Sequence, residues 1–520
     1  MAIFLAAFPI GVVLLLMVTL RWSGQRAGPV GWIVGIAVAW LAFGLTPQVA
    51  WVSQAKGLLL SLYVLAIIWP ALALYHLVNL AGGITAIAAG LESAIGDRGL
   101  LLITLAWAFS AVLEGLAGFG LPIAVVGPML VALGVEPVQA VAAVAVGHAW
   151  SVTFGDMGVI FQTLSAVVKL DGSQLAPAAA SLLAVVCLAC GLGAGLILKL
   201  GRRWPEVVGL SVWMGGVQYA LAVGGLAPMA GLGAGLSGVV GAILLAQLLR
   251  WRKKKKAVSN DEAGVDSPGT ARANPRALGS ALVCYGTVAL IMTGVTLPGW
   301  LHTSLAGWVW QAPFPGVTTL SGFITPAGNG QAFRLWVHPG TWLLAVALLA
   351  ALVLRWRGLI APGAWRQAAQ STWRSAAPAS LGIISMVGLS LLMDHSGMTL
   401  LLAQTLSRWV GAAFPLVSPL VGILGAFATG SNNNSNVLFG PLQKQVAQML
   451  AIAPALLIAA QTAGGSIGSM LAPAKIIVGC STTGLKGRDG EVMRLTVPYG
   501  LAIGLGLGLL ALIFSRLSLF

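Results

Sequence analysis

Ten long apolar segments constrain this chain more than any other feature of its sequence. A helix needs about 20 apolar residues to cross the hydrocarbon core of a bilayer. Only 8% of the 520 residues are charged, against about 25% in a soluble domain, so lipid must replace water over much of the surface. The sequence therefore predicts an all-α polytopic membrane protein. The predicted spans are residues 2–20, 29–45, 57–79, 177–198, 207–225, 231–250, 277–297, 339–354, 376–392 and 495–515.

The basic residues lie between these apolar segments. They give a formal net charge of +15 and cluster at 21–26, 199–203, 250–256, 355–374 and 486–494. This spacing is typical of cytoplasmic loops under the positive-inside rule, so we expect a lipid bilayer and no nucleic acid as partner. Counting spans from these loops places the N-terminus and the loop 298–338 outside. The run at 2–20 has no basic stretch before it and is predicted to be the first membrane helix, not a cleaved signal.

One polar segment divides the chain. Residues 251–276 begin with a basic run and continue with Ser, Asn, Asp, Pro and Gly, a composition typical of disorder. We predict a disordered basic cytoplasmic linker there, between an N-terminal membrane half (1–250) and a C-terminal membrane half (277–520).

Two further zones, about 84–170 and 398–485, are apolar but interrupted by Gly, Pro and polar residues. Such breaks are tolerated in a membrane only where they are buried in protein or line a cavity. The zones share an order of features: a Gly-rich or Asn-rich break, a Gly-Pro pair, a further Pro, an apolar stretch and a second break. Paired interrupted segments in two halves are typical of the midplane binding site of a transporter.

The first zone contains an intramembrane carboxylate, Glu114, within EGLAGFGLP. A carboxylate costs about 2.5–3.5 kcal/mol at the centre of a membrane helix, so we predict that Glu114 is functional. The glycines around it allow sharp turns and close approach of a ligand to the backbone, and we predict a substrate-binding role for Gly115, Gly118, Phe119 and Gly120. The alternative is a Gly-rich patch that packs helices.

The second zone contains two polar stretches. The first, TGSNNNSN, presents amide and hydroxyl donors at a break that the N-terminus of a following half-helix would complete; an uncharged surface turn is the alternative. The second, QTAGGSIGSM, contains a G-x-S-x-G pattern, but its apolar helical surroundings do not fit the strand–turn–helix of a hydrolase. The predicted substrate-binding residues of this zone are Ser431, Asn432, Asn433, Asn434, Ser435, Asn436, Gln461, Thr462, Gly465, Ser466 and Lys475.

Three other intramembrane ionisable residues are candidates for a proton pathway. His148, Asp156 and Asp394 belong to the residue types that relay protons in membranes, and we group them with Glu114 as the proton-coupling set. A structural role or a place at the membrane edge is the alternative for each. The CxxC at Cys187 and Cys190 lies in an apolar run without a nearby His, so we predict helix packing, and neither metal nor cofactor.

These motifs together resemble the bacterial L-lactate permease family. The residues that carry the likeness are LEGLAGFGLPIAV, GSNNNSNVLF and QTAGGSIGSMLAP, in this order. The resemblance implies a multi-pass protein of the bacterial inner (plasma) membrane that transports lactate or glycolate with protons. It also implies two inverted-topology repeats with re-entrant hairpins, an elevator-type arrangement of scaffold and transport domain, and a homodimer.

The sequence departs from the family pattern in its charges. The family usually has Asp at the position of Asn432 and Lys at that of Ser469, whereas this chain has an additional lysine at Lys475. Asp156 stands where the family usually has a small residue, and His148 begins a segment that replaces an Asn-Thr pair. A carboxylate and a cation are each lost at one position and gained nearby, which leaves the substrate and the coupling ion open.

The hypothesis from the sequence is a secondary transporter, not an enzyme, that imports a small monocarboxylate with a proton, sodium being the alternative coupling ion. Three other hypotheses stay open. The cargo is another carboxylate or a sulfonate; the chain is an anion channel; or it is an intramembrane serine hydrolase using Ser431 or Ser466 with His148.

Overall fold

The computed structural model describes residues 2–20, 22–118, 120–257, 274–296, 299–485 and 488–520. Over these residues the chain is almost wholly helical. Eleven of the described helical segments are long and apolar enough to cross a membrane. The chain is therefore a multi-pass membrane protein.

The helices of the first half follow the predicted apolar segments, with breaks in the interrupted zone. They are α1 (Ala2–Thr19), α2 (Gly24–Ala42), α3 (Pro47–Leu80), α4 (Gly83–Ile95), α5 (Arg98–Ile103), α6 (Ser110–Ala117), α7 (Leu121–Ala132), α8 (Pro137–His148), α9 (Val159–Val168), α10 (Gly172–Ile197), α11 (Trp204–Leu221) and α12 (Ala227–Ala257). Thr104–Phe109 and Ala222–Leu226 are π-helical, and Ala149–Phe154, Asp156–Gly158 and Gly201–Arg203 form 3₁₀ turns.

The second half is also built of long and broken helices. Its helices are α13 (Pro275–Thr296), α14 (Gly299–Ala306), α15 (Pro339–Trp356), α16 (Ala364–His395), α17 (Met398–Val410), α18 (Phe414–Thr429), α19 (Asn432–Met449), α20 (Pro454–Leu471), α21 (Pro473–Thr482) and α22 (Asp489–Arg516), with a 3₁₀ turn at Gly411–Ala413. Proline at the first or second position starts several of them, where its missing N–H costs no hydrogen bond.

The segment between α14 and α15 differs from the all-α prediction. Six two-residue strands pair there as one antiparallel ribbon: β1 (Val309–Trp310) with β6 (Phe333–Arg334), β2 (Pro313–Phe314) with β5 (Gly328–Asn329), and β3 (Val317–Thr318) with β4 (Ile324–Thr325). The ribbon tip is fixed to the loop after α2, because Ser321 Oγ donates to the Phe43 carbonyl at 2.8 Å and Leu320 N donates to that of Gly44 at 2.8 Å.

The predicted linker also differs at its start. Helix α12 continues to Ala257, so residues 251–257 are helical and not disordered. Most of the linker, 258–273, lies outside the described residues, as do Arg21 and residues 486–487 of the basic loops.

Contacts between basic loops place several of them on one side of the molecule. Arg203 forms an ion pair with Asp97 at 2.7 Å, Arg98 donates to the Leu133 carbonyl at 2.7 Å, and Arg250 donates to the Ala94 carbonyl at 3.1 Å. The predicted loops around 199–203 and 250 therefore meet at the same end, as the count of spans requires.

Long helices α3 and α16 pack against each other in opposite directions. Gln54 Nε2 donates to the Gly388 carbonyl at 3.3 Å, whereas Trp69 Nε1, further along α3, donates to Ser380 Oγ at 3.1 Å. Residue numbers rise along α3 as they fall along α16, so the two helices are antiparallel. Gly57 allows their backbones to approach, since a Cβ there would stand 3.5 Å from the Gly388 Cα.

Candidate functional site

The breaks of the two interrupted zones meet around one cavity of about 290 Å³. The first zone contributes Glu114 and Asp156, and the second contributes the turn 429–434 and Lys475. The opposite wall comes from the start of α2, from α3 and from α16. The volume is near the lower end of ligand pockets, about 300–1,000 Å³, which suits a small molecule.

Two glycines shape the turns at this cavity. Gly120 before α7 has φ of 83° and Gly430 before α19 has φ of 70°, values that favour glycine because a Cβ is strained there. Each turn separates two helices, α6 from α7 and α18 from α19. The turns therefore bring polar backbone to the cavity without exposing it to lipid.

A pair of carboxylates lies at the first turn. A Cβ on Gly118 would stand 2.7 Å from Glu114 Oε1 and 2.9 Å from both Asp156 oxygens, so the two carboxylates lie side by side. The Gly118 N–H donates to Asp156 Oδ1. Only glycine leaves room for this arrangement.

Glu114 lies between a lysine and a histidine. Its Oε1 is 4.0 Å from Lys475 Nζ and its Oε2 is 4.0 Å from His148 Nε2. Glu114 is 1% exposed, His148 is fully buried and Lys475 is 9% exposed. The Lys475 ammonium also donates to Ser469 Oγ at 2.8 Å. The ammonium thus lies between the Glu114 carboxylate and the Ser469 hydroxyl in a buried site.

The histidine is fixed in one orientation. His148 Nδ1 lies 2.7 Å from the Val144 carbonyl, and since a carbonyl only accepts, Nδ1 carries the proton. In the neutral ring the Nε2 lone pair then faces Glu114 Oε2. Neither atom has a hydrogen-bond partner among the described residues. One proton placed on either group would satisfy both.

A hydroxyl and amide network joins the two halves beside this cluster. Asn432 Nδ2 lies 3.1 Å from Thr153 Oγ1, from Ser466 Oγ and from the Thr462 carbonyl. Thr153 Oγ1 is also 2.6 Å from Ser466 Oγ. Thr153 belongs to the first half and the other three to the second. The network therefore fixes the break after α8 to helices α19 and α20.

The N-terminus of α19 faces the cavity with unused polar groups. Ser431 caps the helix by accepting from Asn434 N at 3.4 Å. Asn433 and Asn434 line the cavity, and both amide atoms of Asn433 and Oδ1 of Asn434 have no partner among the described residues. Buried amides without partners indicate a ligand, and a helix N-terminus favours an anion.

Known proteins resemble this chain over nearly its whole length. The family model described as L-lactate permease matches residues 2–518. The chain belongs to the L-lactate permease family. The L-lactate permease of Bacillus subtilis (strain 168) is 28% identical over 516 residues, covering 92% of this chain and 90% of that protein.

Other known proteins also match this L-lactate permease family member over most of its length. The glycolate permease GlcA of Escherichia coli (strain K12) is 27% identical over 537 residues, covering 98% of this chain and 94% of that protein. Among solved structures, the Alcanivorax borkumensis YdaH transporter has a TM-score of 0.48 at 16% identity, covering 87% of this chain and 85% of that one.

Several predicted binding residues of this permease family member lie behind the cavity wall. A Cβ on Gly115 would stand 2.7 Å from the Leu232 backbone, and one on Gly465 would stand 2.0 Å from Asn432 Oδ1, so both glycines serve close packing. Gln461 Nε2 donates to Ser435 Oγ at 3.0 Å, and Asn436 Nδ2 donates to Thr462 Oγ1 at 2.8 Å. These side chains bond to each other behind the cavity wall and do not line the cavity.

Asp394 lies at the end of α16, accepts from Gln445 Nε2 at 3.2 Å and does not line the cavity, so the structure separates it from Glu114. Phe119 lies outside the described residues.

The G-x-S-x-G pattern does not form a nucleophile elbow. Ser466 lies inside α20, without the strand and sharp turn that expose a nucleophile. Its hydroxyl bonds to Thr153 and Asn432, and the His148 proton goes to Val144. Serine and histidine are therefore not arranged as a nucleophile and its base.

Sequence reasoning missed some residues of the site. Thr153 joins the two halves, and the cavity is also lined by Ser23, Gln25, Ser375 and Thr429. For Thr153 the only signal was its place between the predicted His148 and Asp156. Ser23, Gln25 and Ser375 lie at or near basic loops, where polar residues are ordinary.

Proposed function

We propose that the chain is a secondary active transporter of the bacterial inner membrane that imports a small monocarboxylate, lactate or glycolate, together with a proton. The observation that carries the proposal is the buried group of Glu114, Asp156, His148 and Lys475 beside a cavity lined by the α19 N-terminus. The names of the relatives, L-lactate permease and glycolate permease GlcA, supply the substrate class.

The cavity offers two kinds of group to a small hydroxy acid. A carboxylate would bind at the Lys475 ammonium and the first N–H groups of α19, where charge and helix dipole both favour an anion. A hydroxyl would bind at the amides of Asn433 or Asn434, whose free donor and acceptor atoms are otherwise costly to bury. A bound hydroxy acid would thus give partners to these buried polar atoms.

The charges of the site account for coupling to a proton. With Glu114 and Asp156 ionised, Lys475 protonated and His148 neutral, the site has an excess of one negative charge. A substrate anion adds a second, which is strongly disfavoured in a buried site. One proton taken up by Glu114 or His148 offsets the charge that the substrate adds, so proton and anion bind better together than singly, which is the condition for symport.

Two inverted-topology repeats form the second part of the proposal. The series α2, α3, α4 and onward to α10 is followed in the second half by α15, α16, α17 and onward to α22, with the breaks in corresponding places. The antiparallel packing of α3 against α16 supports opposite orientation of the two series. Since the cavity lies between these long helices and the broken ones, an elevator motion would move the broken helices against α3 and α16. The homodimer stays a prediction.

Uptake of radiolabelled L-lactate into proteoliposomes tests the coupling. An inwardly directed proton gradient should drive accumulation above the equilibrium level, and a sodium gradient alone should not. Counterflow of unlabelled L-lactate should accelerate exchange, which a channel would not show. Uptake that saturates but ignores an imposed pH gradient would contradict proton coupling.

A further inference from the structure

A second cavity, of about 410 Å³, lies at the far end of the same two long helices. It is lined by Lys56 and Leu60 of α3 and by Leu391 and His395 of α16, whereas the first cavity touches α16 at Ala379 and Gly382. At a rise of about 1.5 Å per residue, Ala379 and His395 are about 24 Å apart along the helix. We call this second cavity the outer vestibule, because it lies beneath the β-ribbon.

The walls of the outer vestibule carry more positive than negative charge. Lys56, Lys169 and Arg334 line it together with one acid, Asp171. Asp171 is already used as the cap of α10, where its Oδ1 accepts from Ser173 N at 2.8 Å and from Ser173 Oγ at 2.7 Å. Within the described ranges, no carboxylate lies within ion-pair distance of the three cations.

Other charged groups around the vestibule do not cancel this excess. Asp394, next to His395, accepts from Gln445 Nε2, and Lys444 Nζ donates to the Val168 carbonyl at 2.6 Å at the end of α9. Counting both leaves four cations and two carboxylates, a surplus of positive charge at this mouth of the protein.

Two side chains in the vestibule, Lys56 and His395, each present a polar atom that forms neither an ion pair nor a hydrogen bond within the described residues. Lys56 is 6% exposed and its ammonium lies 5.5 Å from the centre of the Phe314 ring, not against an anion. His395 is 2% exposed; its Nδ1 bonds the Leu391 carbonyl at 2.8 Å, and its Nε2 has no partner in the described part of the chain. A lysine without an anionic partner and a buried imidazole nitrogen without a donor, both lining one cavity, favour an anionic ligand there.

The β-ribbon supplies the remaining wall with uncharged polar groups. Gln311, Asn329 and Gln331 line the vestibule, and Gln311 Nε2 donates to the Gly330 carbonyl at 2.8 Å. The ribbon thus contributes both these polar groups and the Phe314 ring to the surroundings of Lys56.

We propose that the outer vestibule is a second binding site for a small hydroxy acid, one that captures the anion on the side of the membrane opposite the basic loops. The carboxylate binds between Lys56, Lys169 and Arg334. The hydroxyl of the acid donates to His395 Nε2, which accepts because Nδ1 carries the ring proton. The identity of this anion rests on the proposed function, whereas the existence of an anion site here rests on the vestibule alone.

Selective thiol labelling tests the vestibule directly in the full-length protein. Gln331→Cys places a thiol in its wall, and the four native cysteines are buried. The anionic reagent 2-sulfonatoethyl methanethiosulfonate should modify this thiol roughly ten-fold faster than its trimethylammonium counterpart, because the cations concentrate anions locally. L-Lactate should slow the modification by the anionic reagent.

A matched pair of variants separates the site from general charge effects. Adding Lys56→Gln and Lys169→Gln should bring the two labelling rates together and abolish protection by L-lactate. Arg408→Gln, which removes a cation from the exposed surface of α17, should leave both unchanged. The thermal unfolding midpoint of each variant shows whether it is folded.

The outcomes distinguish this inference from the proposed function. Equal labelling rates in Gln331→Cys alone, or no protection by L-lactate while the protein still transports it, would overturn the vestibule and leave the transporter standing. Protection by L-lactate without any transport of it would support the vestibule and contradict the proposed function.

Discussion

Replacing Glu114 by glutamine removes one charge from the centre of the site while keeping its shape. Glu114 is 1% exposed and lies 4.0 Å from both Lys475 and His148. Glutamine retains the length of the side chain and offers an amide in place of the carboxylate. The variant therefore isolates the charge of Glu114 from its packing, and we expect it to bind substrate but to lose coupling to protons.

The size of the effect follows from the separation of the charges. A substrate carboxylate in contact with Lys475, on the side away from Glu114, would lie about 7 Å from the Glu114 carboxylate. Two unit charges at that distance repel by about 2 kcal/mol at an effective dielectric constant of about 20. This corresponds to roughly thirty-fold in affinity. Deprotonation of the wild-type site should weaken L-lactate binding by this factor, and Glu114→Gln should remove most of that dependence on pH.

Two measurements on the purified protein check this reasoning. Calorimetric titration with L-lactate between acidic and alkaline pH should give a falling affinity for the wild type and a nearly flat one for Glu114→Gln. In proteoliposomes, the variant should still exchange labelled for unlabelled L-lactate but should not accumulate it in response to a pH gradient. Glu92→Gln, in the half-exposed surface of α4, is the control and should behave as the wild type. Gradient-driven accumulation at the wild-type level by Glu114→Gln would refute the assignment.

Three further variants test the geometry of the site. Gly118→Ala should reduce uptake roughly a hundred-fold, because its Cβ would displace both carboxylates. Gly209→Ala, where a Cβ meets nothing within 4 Å, should leave uptake unchanged. Equal uptake by the two variants would show that a Cβ at residue 118 does not disturb the carboxylates. Lys475→Ser should lower the free energy of unfolding by about 3 kcal/mol, because it leaves a buried carboxylate unpaired. Adding Ser469→Lys should restore part of the thermal midpoint and part of the uptake. No recovery would show that the two positions are not equivalent. Thr153→Val should lower the free energy of unfolding by about 1–3 kcal/mol, because it leaves Asn432 and Ser466 without a partner. The Thr163 hydroxyl bonds only the Val159 carbonyl of its own helix, so Thr163→Val should lower it less. The reverse order in thermal midpoints would exclude a bridging role for Thr153.

Much of the fold could be predicted because lipid imposes a simple pattern on sequence. Apolar length predicted long spanning helices such as α3, α10 and α22, and polar or Gly-rich breaks predicted where helices stop, at Gly120 and Gly430. The β-ribbon at 309–334 could not be predicted from the sequence, because its strands are only two residues long. That length is too short for an alternating pattern of apolar and polar residues to appear.

The bridging threonine shows a different limit. Buried hydroxyls in helices commonly bond the carbonyl four residues earlier, as those of Thr104 and Thr163 do, and this satisfies them locally. Thr153 instead lies in the 3₁₀ turn Ala149–Phe154, and the partners of its hydroxyl come from residues some three hundred positions later. Only tertiary structure reveals such a partner.

The altered charges of the chain become intelligible once the cavity is assembled. The lysine that the family usually has at the position of Ser469 is supplied here by Lys475, whose ammonium donates to Ser469 Oγ at 2.8 Å and so reaches the same place from the next helix. The carboxylate absent at Asn432 is matched by Asp156, which lines the same cavity from the other half of the chain. Because Coulomb energy depends on where a charge lies and not on which residue carries it, an ammonium and a carboxylate at this one cavity can take the place of those expected at the positions of Ser469 and Asn432.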